Sequence, residues 1–80
     1  MLDTSLRVDW FSIFDDLKRQ GFSLYEVEMR ISVPKATLHG WKSGAEPKYC
    51  EGERLLWLWS EVTRRPRESA PKISRYSHRA

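Results

Sequence analysis

The most versatile chemistry in this chain lies in one short stretch: Lys35, Ala36, Thr37, His39 and Gly40. A lysine ammonium donates hydrogen bonds, a threonine hydroxyl donates and accepts, and an imidazole does either. Alanine adds a small apolar contact. With Leu38 and Trp41 turned inward, Lys35, Ala36, His39 and Gly40 lie on or near the opposite side of a helix, and Thr37 flanks them. Such a surface is suited to recognition, not to making or breaking bonds. Gly40 stands out, because glycine inside a helix costs about 1 kcal/mol relative to alanine. Either it is tolerated, or another molecule approaches the backbone closely there.

No catalytic constellation accompanies these residues, and a non-enzyme is expected. The sequence has no glycine-rich phosphate loop, no paired carboxylates in a predicted cleft and no nucleophile with a recognisable base. Cys50 falls near a predicted helix start, where a thiol pKa can drop, but alone it reads as a small, partly buried residue. One cysteine excludes an internal disulfide, and with only two scattered histidines it excludes the ligand spacing of a structural zinc site. No metal, cofactor or small-molecule substrate is expected.

At 80 residues, the chain has room for one small domain, which buries about 60% of the surface that the unfolded chain exposes. Four Trp, three Tyr and three Phe supply the material for that core. The longest apolar run, Leu55 to Trp59, is five residues, against roughly 20 for a bilayer span. The first residues lack the basic-then-apolar layout of a signal peptide, so a cytoplasmic protein without membrane contact is expected. The net charge of +3 is unevenly spread. Residues 1–63 hold 8 Lys+Arg against 10 Asp+Glu, whereas residues 64–80 hold 6 against 1. A basic C-terminal end points to an anionic partner there.

The elements that must position the 35–40 stretch are helices. Trp10, Ile13, Phe14 and Leu17 recur at i, i+3, i+4 and i+7, which predicts a helix over 9–20 with Asp9 as its cap and Gly21 as its stop. Ser23 and Glu26 have the spacing of a capping box, with Phe22 and Val27 as the hydrophobic staple, for a second helix ending near Ile31. Pro34 is placed at the first position of a third helix, which runs to about Ser43 and stops at Gly44. A last helix runs from about Lys48 to Arg64, with Leu55, Leu58, Trp59 and Val62 inward and Pro66 ending it. Residues 66–80 lack periodicity and are expected to form a basic flexible tail. No segment alternates long enough to predict a strand. The expected fold class is all-α, with a domain over 1–65.

Two short capped helices joined by a tight turn have the geometry of a helix-turn-helix. The segment from Phe22 to Gly44 resembles the helix-turn-helix of the lambda-repressor/Cro-type DNA-binding family over 23 residues without a gap. Phe22, Val27, Ile31, Val33, Leu38 and Trp41 fall at that family's buried positions, and Gly44 at its closing glycine. With the flanking helices, the resemblance covers about residues 9–64 and implies a compact fold of four or five helices. Two positions depart from the family pattern. Glu28 stands where a small residue, usually alanine, is favoured at the helix crossing, and Ser32 stands where glycine is favoured in the turn. A carboxylate at position 28 must reach outward or find a cation such as Lys42, because burying it unpaired is costly. The Gly-Phe-Ser-Leu and Val-Pro-Lys-Ala-Thr stretches are also similar to the homeodomain-like helix-turn-helix of recombinases and transposases.

The resemblance implies that Lys35, Ala36 and Gly40 reach base edges, with Thr37 and His39 close by. A lysine can donate to guanine O6 or N7, and an alanine methyl can pack on a thymine methyl. Phosphate contacts are expected from Ser23, Lys42, Lys48, Tyr49, Arg64 and Arg65, at helix ends and in the basic segment. The implied protein is a sequence-specific double-stranded DNA-binding regulator, repressor-like, of phage or prophage type. The competing expectations are a DNA-binding accessory module for packaging or recombination, and a helical protein-interaction module of the antitoxin or anti-repressor kind. Trp57 lies off the inward stripe, with Arg54 and Glu61 on its own side, and Leu56 shares that ambiguity. These two residues are expected at a homodimer interface, with two copies reading half-sites one helical turn apart.

Overall fold

The computed structural model describes residues 6–74. It is mostly helical, with elements in the order β1 (Leu6–Val8), α1 (Trp10–Arg19), α2 (Leu24–Ile31), α3 (Lys35–Lys42), α4 (Tyr49–Thr63) and β2 (Lys72–Ser74), and a single 3-10 turn at Arg67–Ser69 before β2. No helix among the described residues is long and apolar enough to cross a membrane.

The helix boundaries follow from local chemistry. Asp9 caps α1 by accepting from the Ser12 N–H, and the Ser12 hydroxyl donates to its second oxygen at 2.8 Å. Gly21, at φ +92°, turns the chain out of α1 while the Phe22 N–H returns to the Leu17 carbonyl at 2.9 Å. That positive φ is cheap only for glycine. Ser23 caps α2 by accepting from the Glu26 N–H at 3.2 Å. Pro34 sits one position earlier than expected, as the cap residue before α3, and has no side chain with which to cap it.

The helices form a ring. α1 packs on α3 and α4, and α2 likewise packs on α3 and α4, whereas the backbones of α1 and α2, or of α3 and α4, do not approach each other as closely. The ring encloses Ile13, Leu17, Val27, Val33, Leu38, Leu55, Leu58 and Trp59, all essentially inaccessible to solvent. Every residue expected to face inward from the first three helices does so, and Val62 is partly buried against the same core.

Three expectations are corrected. Leu56, assigned to a dimer surface, is 2% exposed and belongs to the core. It shares the core cluster with Ala70, which lies in the chain that folds back against α4 after the helix. Second, residues 66–74 are not a free tail. The Arg67 guanidinium pairs with Glu53 on α4, its Nε donating at 2.9 Å, and the Asp9 N–H donates to the Pro71 carbonyl at 2.9 Å. Third, strands are present: β1 and β2 pair antiparallel, Leu6 opposite Ser74 and Val8 opposite Lys72. Three-residue strands leave no alternation to read, and this pairing joins opposite ends of the chain. Residues 75–80 of the expected tail lie outside the described residues.

Arg65, Asp16 and Trp59 lock α1, α4 and the returning segment together. The Trp59 indole N–H donates to Asp16 Oδ2 at 3.0 Å. Arg65 donates to the same oxygen at 2.9 Å while its guanidinium lies 4.8 Å from the centre of the Trp59 ring. Replacing Asp16 by alanine leaves a fully buried indole N–H without its acceptor. Asp16→Ala is therefore expected to cost about 1–3 kcal/mol, measured as a lower urea midpoint at unchanged slope.

Acid should act on the other end of the returning segment. The hydrogen bond from Arg67 holds the Glu53 carboxyl below its ordinary pKa, against the opposing effect of desolvation. A depressed carboxylate stabilises the fold above its unfolded pKa and loses that contribution as pH falls through the folded value. Amide exchange in residues 67–74 is thus expected to accelerate, beyond the intrinsic change, once pH drops below the ordinary glutamate value.

Candidate nucleic-acid interface

α3 is held by its inward face and by its start. Leu38 is fully buried and Trp41 is 4% exposed, with the Trp41 ring centre 6.3 Å from that of Trp10. The N–H groups at a helix start need acceptors, and Pro34 offers none. Glu28 supplies one from α2: its Oε2 accepts from the Lys35 N–H at 3.0 Å. This is where the carboxylate at the helix crossing goes, to the backbone of the next helix and not to Lys42. The turn that brings the two helices into this relation passes through Ser32 at φ +60°, a left-handed conformation that glycine would adopt with less strain.

With the helix so fixed, Lys35, Ala36, Thr37 and His39 are all exposed, and Gly40 is half-buried. A methyl group on Gly40 would meet only the Ala45 side chain, at an ordinary 3.9 Å. The protein's own packing therefore does not require glycine at position 40. Gly52 is the contrasting case, since a methyl there would come within 3.2 Å of the Trp10 ring, where α4 starts against α1.

Of the expected phosphate-contacting residues, the structure brings Ser23 and Lys42 together. Both line a groove of about 480 Å³ between α1 and the start of α2, floored by Phe14, Phe22 and Leu24. Lys18 joins them there. Lys42 is half-buried, and Lys48 and Tyr49 are exposed at the start of α4. Arg64 and Arg65 are not brought to this place. They do not line that groove and lie at the end of α4 opposite Lys48 and Tyr49, roughly 22 Å along a helix rising 1.5 Å per residue. Arg64 closes that helix in a left-handed conformation, and Arg65 is committed to Asp16 and Trp59.

A second cavity, of about 220 Å³, lies between the β-ribbon and the end of α3, lined by Arg7, Trp10, Trp41, Lys42 and Ile73 among others. Arg7 reaches from β1 to Glu46, 2.6 Å away in the loop after α3. Sequence reasoning missed this contact, because nothing local to Arg7 signals a partner 39 residues on. No protein-family model, curated protein or solved structure matches the chain.

Two substitutions test this description of α3. Glu28→Ala removes the acceptor at its start and is expected to cost about 0.5–2 kcal/mol, the range for losing a helix cap. Gly40→Ala is expected to raise stability by roughly 0.5–1 kcal/mol. Thermal or urea unfolding of the two variants measures both, and a destabilised Gly40→Ala would show a packing demand on glycine that the structure does not contain.

Proposed function

We propose that the chain is a sequence-specific double-stranded DNA-binding regulator, repressor-like and of phage or prophage type, in which α2 and α3 form a helix-turn-helix. The observation that carries this reading is the outward face of α3. Lys35, Ala36, Thr37 and His39 stand exposed on a helix whose inner face and N-terminal end are both fixed. Side chains on a rigid helix can be registered against base edges in the major groove. Ser23 and Lys42, with Lys18 between the same walls, lie beside that helix as backbone-positioning groups. Lys48 and Tyr49 add a second pair at the start of α4. Phosphate contacts of this kind set register without reading sequence.

Gly40 fits the same reading. A glycine that the fold does not need, on the reading helix, lets the backbone come close to the DNA. Gly40→Ala should then weaken binding even though it stabilises the protein.

Selection of a preferred site from random duplex DNA tests the function directly; failure to enrich any sequence would overturn it. On the selected site, Lys35→Ala should relax preference at one base position and cost about 1–3 kcal/mol if the contact is bidentate. Lys48→Ala should weaken all sequences alike and reduce the slope of log K against log salt by about 0.9. A uniform loss from Lys35→Ala would remove base reading from that residue.

A further inference from the structure

The proposed reading leaves one conspicuous feature of the surface without a task. Trp57 is 59% exposed, on the side of α4 turned away from Leu55 and Trp59. Arg54, Trp57 and Glu61 follow one another at spacings of three and four and so form one stripe along that helix. An arginine and a glutamate seven positions apart, with a tryptophan between them, make a self-complementary pattern. Two such helices laid antiparallel about a two-fold axis near Trp57 bring Arg54 of each against Glu61 of the other, with the two indoles meeting at the centre. A parallel arrangement sets like charges against each other instead. Nη1 of Arg54 donates to the Ile31 carbonyl at 2.9 Å. That bond anchors the guanidinium beside the stripe and leaves its other N–H groups for a carboxylate.

We propose that this stripe docks a second copy of the same chain, α4 against α4 and antiparallel. An isologous contact of this kind closes at two subunits, and an aromatic anchor ringed by charge is the usual centre of such an interface.

The place of α4 in the ring of helices fixes what the pair can do. α3 and α4 occupy opposite corners, each packed on α1 and α2. The outer face of α4 and the outer face of α3 therefore point away from each other. A two-fold axis lying in the α4–α4 contact reverses both directions in the second copy. The two α3 faces end on opposite sides of the pair. This consequence rests on the DNA-binding reading above: such a pair holds two separate duplex segments, not the two half-sites of one palindrome that the sequence led us to expect.

Sedimentation of the full chain without DNA tests the pairing by itself. The wild type is expected to dimerise, and Trp57→Ala to weaken self-association by about thirtyfold or more, as for a central aromatic anchor. Arg54→Glu and Glu61→Arg are each expected to be monomeric, because each sets like charges across the axis. Mixed together they should form a dimer, since the mixture restores opposite charges at both ends of the stripe. Circular dichroism shows that each variant is folded, and the mixing experiment does not depend on Arg54 alone. For the consequence, one selected duplex is immobilised and a second, labelled copy is offered in solution. Wild type should capture the labelled duplex, whereas Glu61→Arg should bind the immobilised one with unchanged affinity and capture none. A monomeric wild type, or variants that fail to pair on mixing, overturns the α4 contact. A dimer that protects two half-sites on a single duplex overturns the opposed arrangement. A dimer that passes the mixing test but binds no duplex overturns the DNA-binding reading and leaves the pairing standing.

Discussion

Trp59 is the residue on which the rest of this small fold is hung. Its side chain is fully buried, yet it carries an N–H that must be satisfied, since an unpaired buried donor costs about 1–3 kcal/mol. Asp16 satisfies it from α1, and the same oxygen takes Arg65 from the chain beyond α4. One carboxylate oxygen therefore ties the first helix, the last helix and the returning segment at a single point. Once Arg65 is held there, the chain is led back along α4 so that Arg67 meets Glu53 and β2 lies beside β1. A domain of this size has little apolar surface to spare, and the returning segment adds Ala70 to the core cluster.

The second half of the architecture depends on an exchange between neighbouring helices. α3 begins after a proline and cannot cap itself, while α2 carries Glu28, a partly exposed carboxylate, within reach of its start. That carboxylate supplies the missing cap by accepting from the Lys35 N–H. The left-handed Ser32 between them makes the approach possible. The arrangement sets the angle at which Lys35, Ala36, Thr37 and His39 meet the solvent.

The ring of four helices also separates tasks. Because α3 and α4 sit at opposite corners, a ligand on one outer face does not obstruct a partner on the other. The cations divide accordingly. Lys18 and Lys42 gather with Ser23 near the start of α2, while Arg65 and Arg67 are spent on internal ion pairs with Asp16 and Glu53. The basicity at the end of the sequence is thus partly structural.

What the sequence determined by itself was local: the four helices, their stops at Gly21 and Gly44, the Ser23 cap and the inward residues Ile13, Leu17, Val27, Leu38, Leu55 and Trp59. Each of these is written within a turn or two of chain, as a 3.6-residue period or a capping side chain, and needs no distant partner to be read. The exposure of Trp57 and of the 35–39 face was legible for the same reason. What only the tertiary structure decided was everything set by contacts across long stretches of chain. The burial of Leu56, the pairing of Leu6–Val8 with Lys72–Ser74, the commitment of Arg65 to Asp16 and the meeting of Ser23 with Lys42 leave no periodic trace. Nor does the opposition of α3 and α4, because the direction in which a helix face points is fixed by the helices packed behind it, not by its own residues.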